Sequence, residues 1–255
     1  MPTVQSNDAT LYYEVHGRGP AVLFAHGRGG NATSWWQQIP FFAARYTCIP
    51  FDHRTFGRSH GGGENFSQPQ LAADLIAILD AEGIGRAAVV AQSMGGWGGL
   101  GAALEFPERI ACLVMTSTHG GLALGAGEAL DPGAGKPLTG LAIAPGYAER
   151  EPEMALLLGQ LRAFNTGFDA ANMEKLRDPA QAIGPERLEG YHVPTLFIIA
   201  ENDQIFPRAL LRHGAARLPG AEVAEFPRAG HSPYWEDAPR FNEMVDEFLT
   251  RHHRA

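Results

Sequence analysis

Membrane-length hydrophobic runs, surplus positive charge and cysteine are missing or scarce in this 255-residue sequence. No apolar run approaches the ~20 residues needed to span a bilayer as a helix, so a membrane partner is not expected. The formal net charge is -8, with no Lys/Arg cluster to set against it, which argues against a nucleic-acid partner. The opening stretch MPTVQSNDATLYYEV lacks a basic segment followed by an apolar one, so a cytoplasmic protein is expected. Two cysteines cannot build a zinc ribbon, and Cys48 and Cys112 lie in apolar runs that suit buried free thiols. The histidines show no metal-ligand spacing, so neither a metal nor another cofactor is expected.

What is present is the composition of an ordinary globular protein, 45% apolar and 19% charged, at a length that one large domain can fill. Residues 4–6 and 11–15 flank the turn residues Asn7 and Asp8 and predict an N-terminal hairpin. Then come short, nearly continuous apolar runs: AVLFAHG (21–27), TCIPFD (47–52), AAVVAQ (87–92), ACLVMTS (111–117) and TLFIIAE (195–201). Such runs suit strands covered on both faces, as in a parallel sheet between helices. Helical spacing appears between them. Over 70–81 it places Leu71, Leu75, Ile78 and Leu79 on one face, with Ser67 as N-cap and Gly83 after the end; over 239–251 it recurs. The alternation predicts an α/β fold, a mostly parallel central sheet with helices on both faces, entered through the antiparallel hairpin. The rhythm breaks over 119–192, after the sixth expected strand. There the glycine-rich stretch GGLALGAGEALDPGAG leads into expected short helices at 151–164 and 169–177, so a lid inserted into a core of 1–118 and 193–255 is expected.

The strongest local signal is AVVAQSMGGWGG, where a buried strand ends at Gln92, Ser93 occupies the turn and a small-residue helix begins. A serine on so sharp a turn projects its hydroxyl above the sheet. The helix N-terminus and the next backbone N–H then face any anion formed beside it. The turn needs small residues two before and two after; here they are Ala91 and Gly95, so the usual G-x-S-x-G reads A-x-S-x-G. Taken alone, the same serine could simply cap a helix.

Its surroundings resemble the α/β-hydrolase superfamily over nearly the whole chain apart from the 119–192 segment. His26-Gly27, followed by Arg28-Gly29-Gly30 and Trp35, is similar to that family's oxyanion loop. Residues 51–59, FDHRTFGRS, resemble its D-x-R-G-x-G-x-S turn, with Thr55 where glycine is usual. The resemblance, with the chain order Ser, then Asp/Glu, then His, implies Asp203 in AENDQIFP as the acid and His231 in RAGHSPYWEDAP as the base. Glu201 is the closest rival to Asp203, and Glu236 or Asp237 could merely solvate His231. The implied oxyanion donors are the backbone N–H groups of Arg28 and Met94. Trp35 and Trp97 are candidate pocket residues, although buried tryptophans usually serve the core. His26 is expected to pack and hydrogen-bond rather than act as a base.

An imidazole with the ordinary pKa of about 6.5 can take a serine proton at neutral pH, and an aspartate behind it holds the required tautomer. The expected activity is therefore hydrolysis of a small carboxylic ester or lactone through an acyl-serine. A second expectation from the resemblance keeps the triad but cleaves a carbon-carbon bond in a vinylogous diketone. In that group an aromatic residue commonly follows the histidine, and here Ser232 does. A non-catalytic ligand receptor on the same fold is a third reading. Residues 96–101, GWGGLG, also match the G-x-G-x-x-G dinucleotide pattern. Its first glycine comes too late for the strand-end turn, however, and no acidic residue follows near position 120, so the glycines are expected to serve close helix packing.

Overall fold

The computed structural model describes residues 2–123, 140–167, 169 and 171–254. Six strands form one sheet in which every neighbouring pair is parallel: β3 (Ala21–Ala25), β4 (Thr47–Phe51), β6 (Ala87–Gln92), β7 (Ile110–Thr116), β8 (Thr195–Ala200) and β9 (Glu222–Phe226), in the spatial order β4-β3-β6-β7-β8-β9. The apolar runs are continuous because both faces of the sheet are covered. Leu23 of β3, Val89 of β6 and Phe197 of β8 join one cluster with Leu71, Leu75, Leu100 and Leu211. The alternate residues Phe24, Val90 and Ile198 join the other with Phe42, Phe241, Val245 and Phe248. The first face is thus covered by α2 (Gln68–Ala81), α3 (Gly95–Glu105) and α7 (Arg208–Arg217), the second by α1 (Ile39–Phe42) and α9 (Ala238–His252). Cys48 and Cys112 are buried free thiols within it, and burial pushes both up to about 12.

The N-terminal hairpin differs in its second arm. β1 (Thr3–Ser6) pairs with β2 (Ala9–Tyr12), and a two-residue strand β5 (His60–Gly61) adds to β2, giving a separate three-stranded antiparallel sheet. After Tyr12 the chain leaves that sheet, and single antiparallel bridges from Tyr13 to Phe51 and from His16 to Cys48 cover the exposed edge of β4. A free edge is an aggregation hazard, so the expected strand 11–15 is divided between two tasks. Because β5 was not expected, the 119–192 segment follows the seventh strand rather than the sixth.

Within that segment the structure describes α4 (Tyr147–Arg150), α5 (Pro152–Ala163) and α6 (Ala171–Leu176). Residues 124–135 of the glycine-rich stretch lie outside the described residues. Helix α5 buries only Leu158 among its side chains, and Leu156 and Leu157 are exposed on its outer face.

Candidate active site

Ser93 follows the last residue of β6 with φ at +48°, the left-handed region, which costs a residue with a Cβ about 1 kcal/mol or more. Its neighbours hold it there. The Ser93 N–H donates to the Thr116 carbonyl on the next strand at 3.0 Å. A Cβ added at Gly95 would lie 2.4 Å from the Ala25 carbonyl oxygen, so the residue two after the serine has no room for a side chain. Ala91, two before it, fits because the facing residue on α3 is Gly99, where an added Cβ would lie 3.3 Å from the Ala91 methyl. The other glycines of the GWGGLG run are packing contacts too: a Cβ at Gly96 would strike Thr118, and one at Gly98 would press on Leu71 of α2.

Above this turn Ser93, His231 and Asp203 meet. Ser93 Oγ lies 2.8 Å from His231 Nε2, and His231 Nδ1 lies 2.9 Å and 3.0 Å from the two oxygens of Asp203. With its proton on Nδ1 the ring donates to Asp203, leaving Nε2 to accept the serine hydroxyl. Asp203, in the loop after β8, is held by two further donors, the N–H groups of Ile205 and Phe206 at 2.8 and 2.9 Å on Oδ1. Its side chain is 0% exposed, while its rival Glu201 is exposed. His231 is fixed from below by the Gln92 side-chain amide, which donates to the His231 carbonyl at 2.9 Å, and Phe206 packs against its ring. The nearby acids are engaged elsewhere. Asp237 caps α9 through the Arg240 N–H. Glu236 accepts the N–H groups of Gly230 and Ala144, each at 2.9 Å, and burial pushes its carboxyl up to about 7.

The loop after β3 forms the opposite rim. His26 packs against His53 and Phe56 and its Nε2 accepts the His53 N–H at 2.9 Å; burial pushes this imidazole down to about 4. Beyond it Asn31 caps a short 3-10 turn at Ala32–Trp35, and the Ala32 N–H donates to Asp52 at 2.6 Å. Asp52 also accepts the Arg58 N–H at 2.7 Å, so the 51–59 turn braces the rim. Thr55 has a φ of +69° there, which accounts for the glycine usual at that place.

One cavity joins these parts. Its core side presents Gly27, Arg28, Ser93, Met94 and His231, so Arg28 and Met94 line the same space as Ser93. Trp97 lines it as well. Trp35 does not: it is fully buried behind Tyr234, packed between that ring and Phe24, so its indole belongs to the core. The facing wall comes from the 119–192 segment, with Ala142, Leu158, Leu161, Arg162, Met173 and Arg177. Asn165 ties this wall to the rim: its amide nitrogen donates to the Gly29 carbonyl at 2.8 Å and its oxygen accepts the Gly57 N–H at 2.9 Å. Sequence reasoning missed Gln92, Phe206 and Tyr234 and which side chains of the expected lid turn toward the cavity. Of these only Gln92 carried a signal, as the lone polar residue ending an apolar strand.

Among the described residues no three His, Cys, Asp or Glu side chains come together as a metal site, and no helix is long and apolar enough to cross a membrane.

Residues 22–244 match the family described as the Alpha/beta hydrolase family. A protein of Azorhizobium caulinodans named as the carbamate hydrolase RutD is 31% identical over 262 residues, covering 96% of this chain and 97% of its own. The 2-hydroxy-6-oxo-6-phenylhexa-2,4-dienoate hydrolase of Burkholderia cepacia is 31% identical over 265 residues, covering 91% of this chain and 88% of its own. Among solved structures, Est816, an N-acyl homoserine lactone degrading enzyme, is 27% identical with a TM-score of 0.84, covering 97% of this chain and 100% of that one. With the matching region spanning most of the sequence and the sheet, turn and loops as described, the chain belongs to the alpha/beta hydrolase family.

Proposed function

We propose that this chain is a serine hydrolase that cleaves a small carboxylic ester or lactone through an acyl-serine intermediate. The observation that carries the reading is the unbroken hydrogen-bonded line from Ser93 through His231 to Asp203, buried at one end of a cavity. In this reading His231 takes the Ser93 proton as Oγ attacks the carbonyl carbon, and Asp203 stabilises the imidazolium without accepting the proton. Charge collects on the substrate oxygen, where the backbone N–H groups of Met94 and Arg28 receive it. His231 then protonates the leaving oxygen, and water, activated by the same imidazole, releases the acid. The described residues of 119–192 act as a lid: Ala142, Leu158, Leu161 and Met173 line the cavity opposite Ser93 and shape what enters. That Est816 degrades a lactone supports this substrate class.

Fluorophosphonate labelling with a panel of 4-nitrophenyl esters and lactones tests it. Wild type is expected to be labelled and active, and Ser93→Ala to be neither; undiminished esterase activity in Ser93→Ala would sink the reading. Cleavage of a carbon-carbon bond by the same three residues is a second reading, favoured by the likeness to the Burkholderia cepacia hydrolase and weakened by Ser232 after the histidine. A vinylogous diketone turned over faster than every ester would select it.

A further inference from the structure

The loop that carries His231 and the wall that faces Ser93 share one carboxylate. Glu236 ends the short helix α8 (Pro233–Glu236) and is half-buried. Its Oε1 accepts the Gly230 N–H and its Oε2 the Ala144 N–H, each at 2.9 Å. Ser232 brings a third backbone N–H to the same group, so the residues on both sides of His231 are bound to it. Ala144 belongs to the 119–192 segment, two residues after Ala142 of the cavity wall. The approach is close: a Cβ on Gly230 would lie 2.4 Å from the Ala144 nitrogen. The loop of Asp203 is fastened to both, since the Gln204 amide donates to the Ile143 carbonyl at 3.4 Å and the Asn202 N–H donates to the Ala229 carbonyl at 3.0 Å.

A carboxylate can accept from two chain segments at once, one on each oxygen, whereas an amide or a protonated carboxyl presents a donor at one of those places. Burial pushes the Glu236 carboxyl up to about 7, with the Asp203 charge adding to it, against the pull of the three N–H groups. Its outer side opens on a surface cavity, so a proton reaches it without passing Ser93. Tyr147, Arg150 and Glu151 face that cavity from α4 and its end, Arg228 from the loop after β9, and Asp237 and Arg240 from the start of α9. On the inner side it interacts through space with Asp203 and with Tyr234 of its own helix.

We propose that Glu236 is a positioning residue: its ionised carboxylate clamps the His231 loop to residues 142–144 of the facing wall, and a proton on it loosens both. The proposal rests on the serine-hydrolase reading for the role of His231, while the clamp itself is tested without that reading. The 2.8 Å contact between His231 and Ser93 depends on the loop that Gly230 belongs to, so play in the clamp reaches the proton transfer.

Hydrolysis of 4-nitrophenyl acetate across pH tests the positioning role. In wild type both His231 and Glu236 must lose a proton for full activity, so log kcat/KM is expected to fall with acid more steeply than the unit slope of a single group. Glu236→Gln keeps the size but turns a donor toward one of the N–H groups. It is expected to lower kcat about 10-fold at about pH 8, with KM changed less than about 3-fold, and to leave a unit slope. Glu236→Asp, a carboxylate one methylene short, is expected to keep the steep limb with an intermediate kcat. A unit slope in wild type, or a limb equally steep in Glu236→Gln, would overturn the proposal with the nucleophile intact. Melts at the same pH report whether the variants fold. Independently of Ser93 chemistry, the amide NMR shifts of Gly230 and Ala144 in Ser93→Ala protein are expected to titrate together with a midpoint near 7, and to stay flat once Glu236→Gln is added. Amides that do not titrate, or that titrate unchanged in the double variant, refute the clamp even where no ester is turned over. Titrating amides in a protein that hydrolyses no ester would uphold the clamp and strike the hydrolase reading.

Discussion

The two walls of the cavity are built on different physical terms. The core wall hangs from the C-terminal ends of parallel strands: Ser93 after β6, Asp203 after β8, the rim loop after β3, all anchored in strands whose side chains are buried on both faces. Asp203 and His231 each have a second set of partners that fixes them, the Ile205 and Phe206 amides on Asp203 and the Gln92 amide on the backbone of His231. The facing wall stands on short helices; α5 buries a single leucine and leaves apolar side chains in water. Its attachment combines apolar packing, Tyr147 and Leu158 in the cluster with Tyr234 and Met173 and Leu176 in the cluster with Trp97, with hydrogen bonds through Asn165 on the rim, Glu236 on the Ala144 N–H, and the Trp97 indole donating to the Leu176 carbonyl at 3.3 Å. A wall fixed by strands suits chemistry that tolerates little displacement. A wall of short helices docked on the ends of the sheet suits selection of substrates, because it can be altered without disturbing the strands.

The contrast is broken most severely on the core side. Asp203→Asn keeps the shape and removes the charge, so kcat is expected to fall on the order of 10⁴-fold with KM little changed and Tm within a few degrees of wild type. A loss of less than about tenfold in stopped-flow ester hydrolysis would mean the core wall is not the reacting one.

Next in size is a pH effect at His119, the first residue of the lid segment, which packs against Trp97 and Phe206 and is pushed down to about 4 by burial. The folded chain therefore keeps this ring neutral between about pH 6.5 and 4, while the unfolded chain binds a proton there. The ring's contribution to stability is complete above 6.5 and lost as pH falls through 4, up to roughly 3 kcal/mol. Calorimetric melts of His119→Gln across that window are expected to show a shallower fall of Tm with acid than wild type; parallel curves would contradict it. Glu236 titrates with the opposite sense, since its raised pKa gives stability that is present below about 4.5 and lost as pH rises through about 7. Only the difference between variant and wild type isolates the histidine.

The smallest expected effect sharpens the comparison at its seam. Asn165→Ala removes both bonds to the rim and is expected to cost about 1–2 kcal/mol of stability, raising KM several-fold with kcat falling less. Equal losses in kcat and kcat/KM would show that the rim, rather than substrate entry, depends on this amide.

The same division decided what could be read from the sequence. The core wall was legible because strands buried on both faces leave unbroken apolar runs, and because close backbone approach forces glycine at positions such as Gly95. Even the departure at Ala91 has a local cause that sequence alone did not display, since the space it uses is left by Gly99 one turn along the helix. Short α5 and α6 were expected close to where they lie, but not which side chains they turn inward. Arg162 and Arg177 sit in helical spacings indistinguishable from those of surface arginines, and only the docking of the segment onto the rim brings them to the cavity. Of the two readings offered for Trp35, the core one fits its surroundings, since the indole is wholly buried behind Tyr234.

Gln92 links two parts of the site. Its side chain grips the backbone of His231 while its carbonyl carbon is bonded to Ser93, so one residue reaches both partners of the proposed proton transfer across 139 positions of chain. A shift of β6 would therefore draw Ser93 and His231 in the same direction, leaving the distance between them less sensitive to movement of the sheet that holds them.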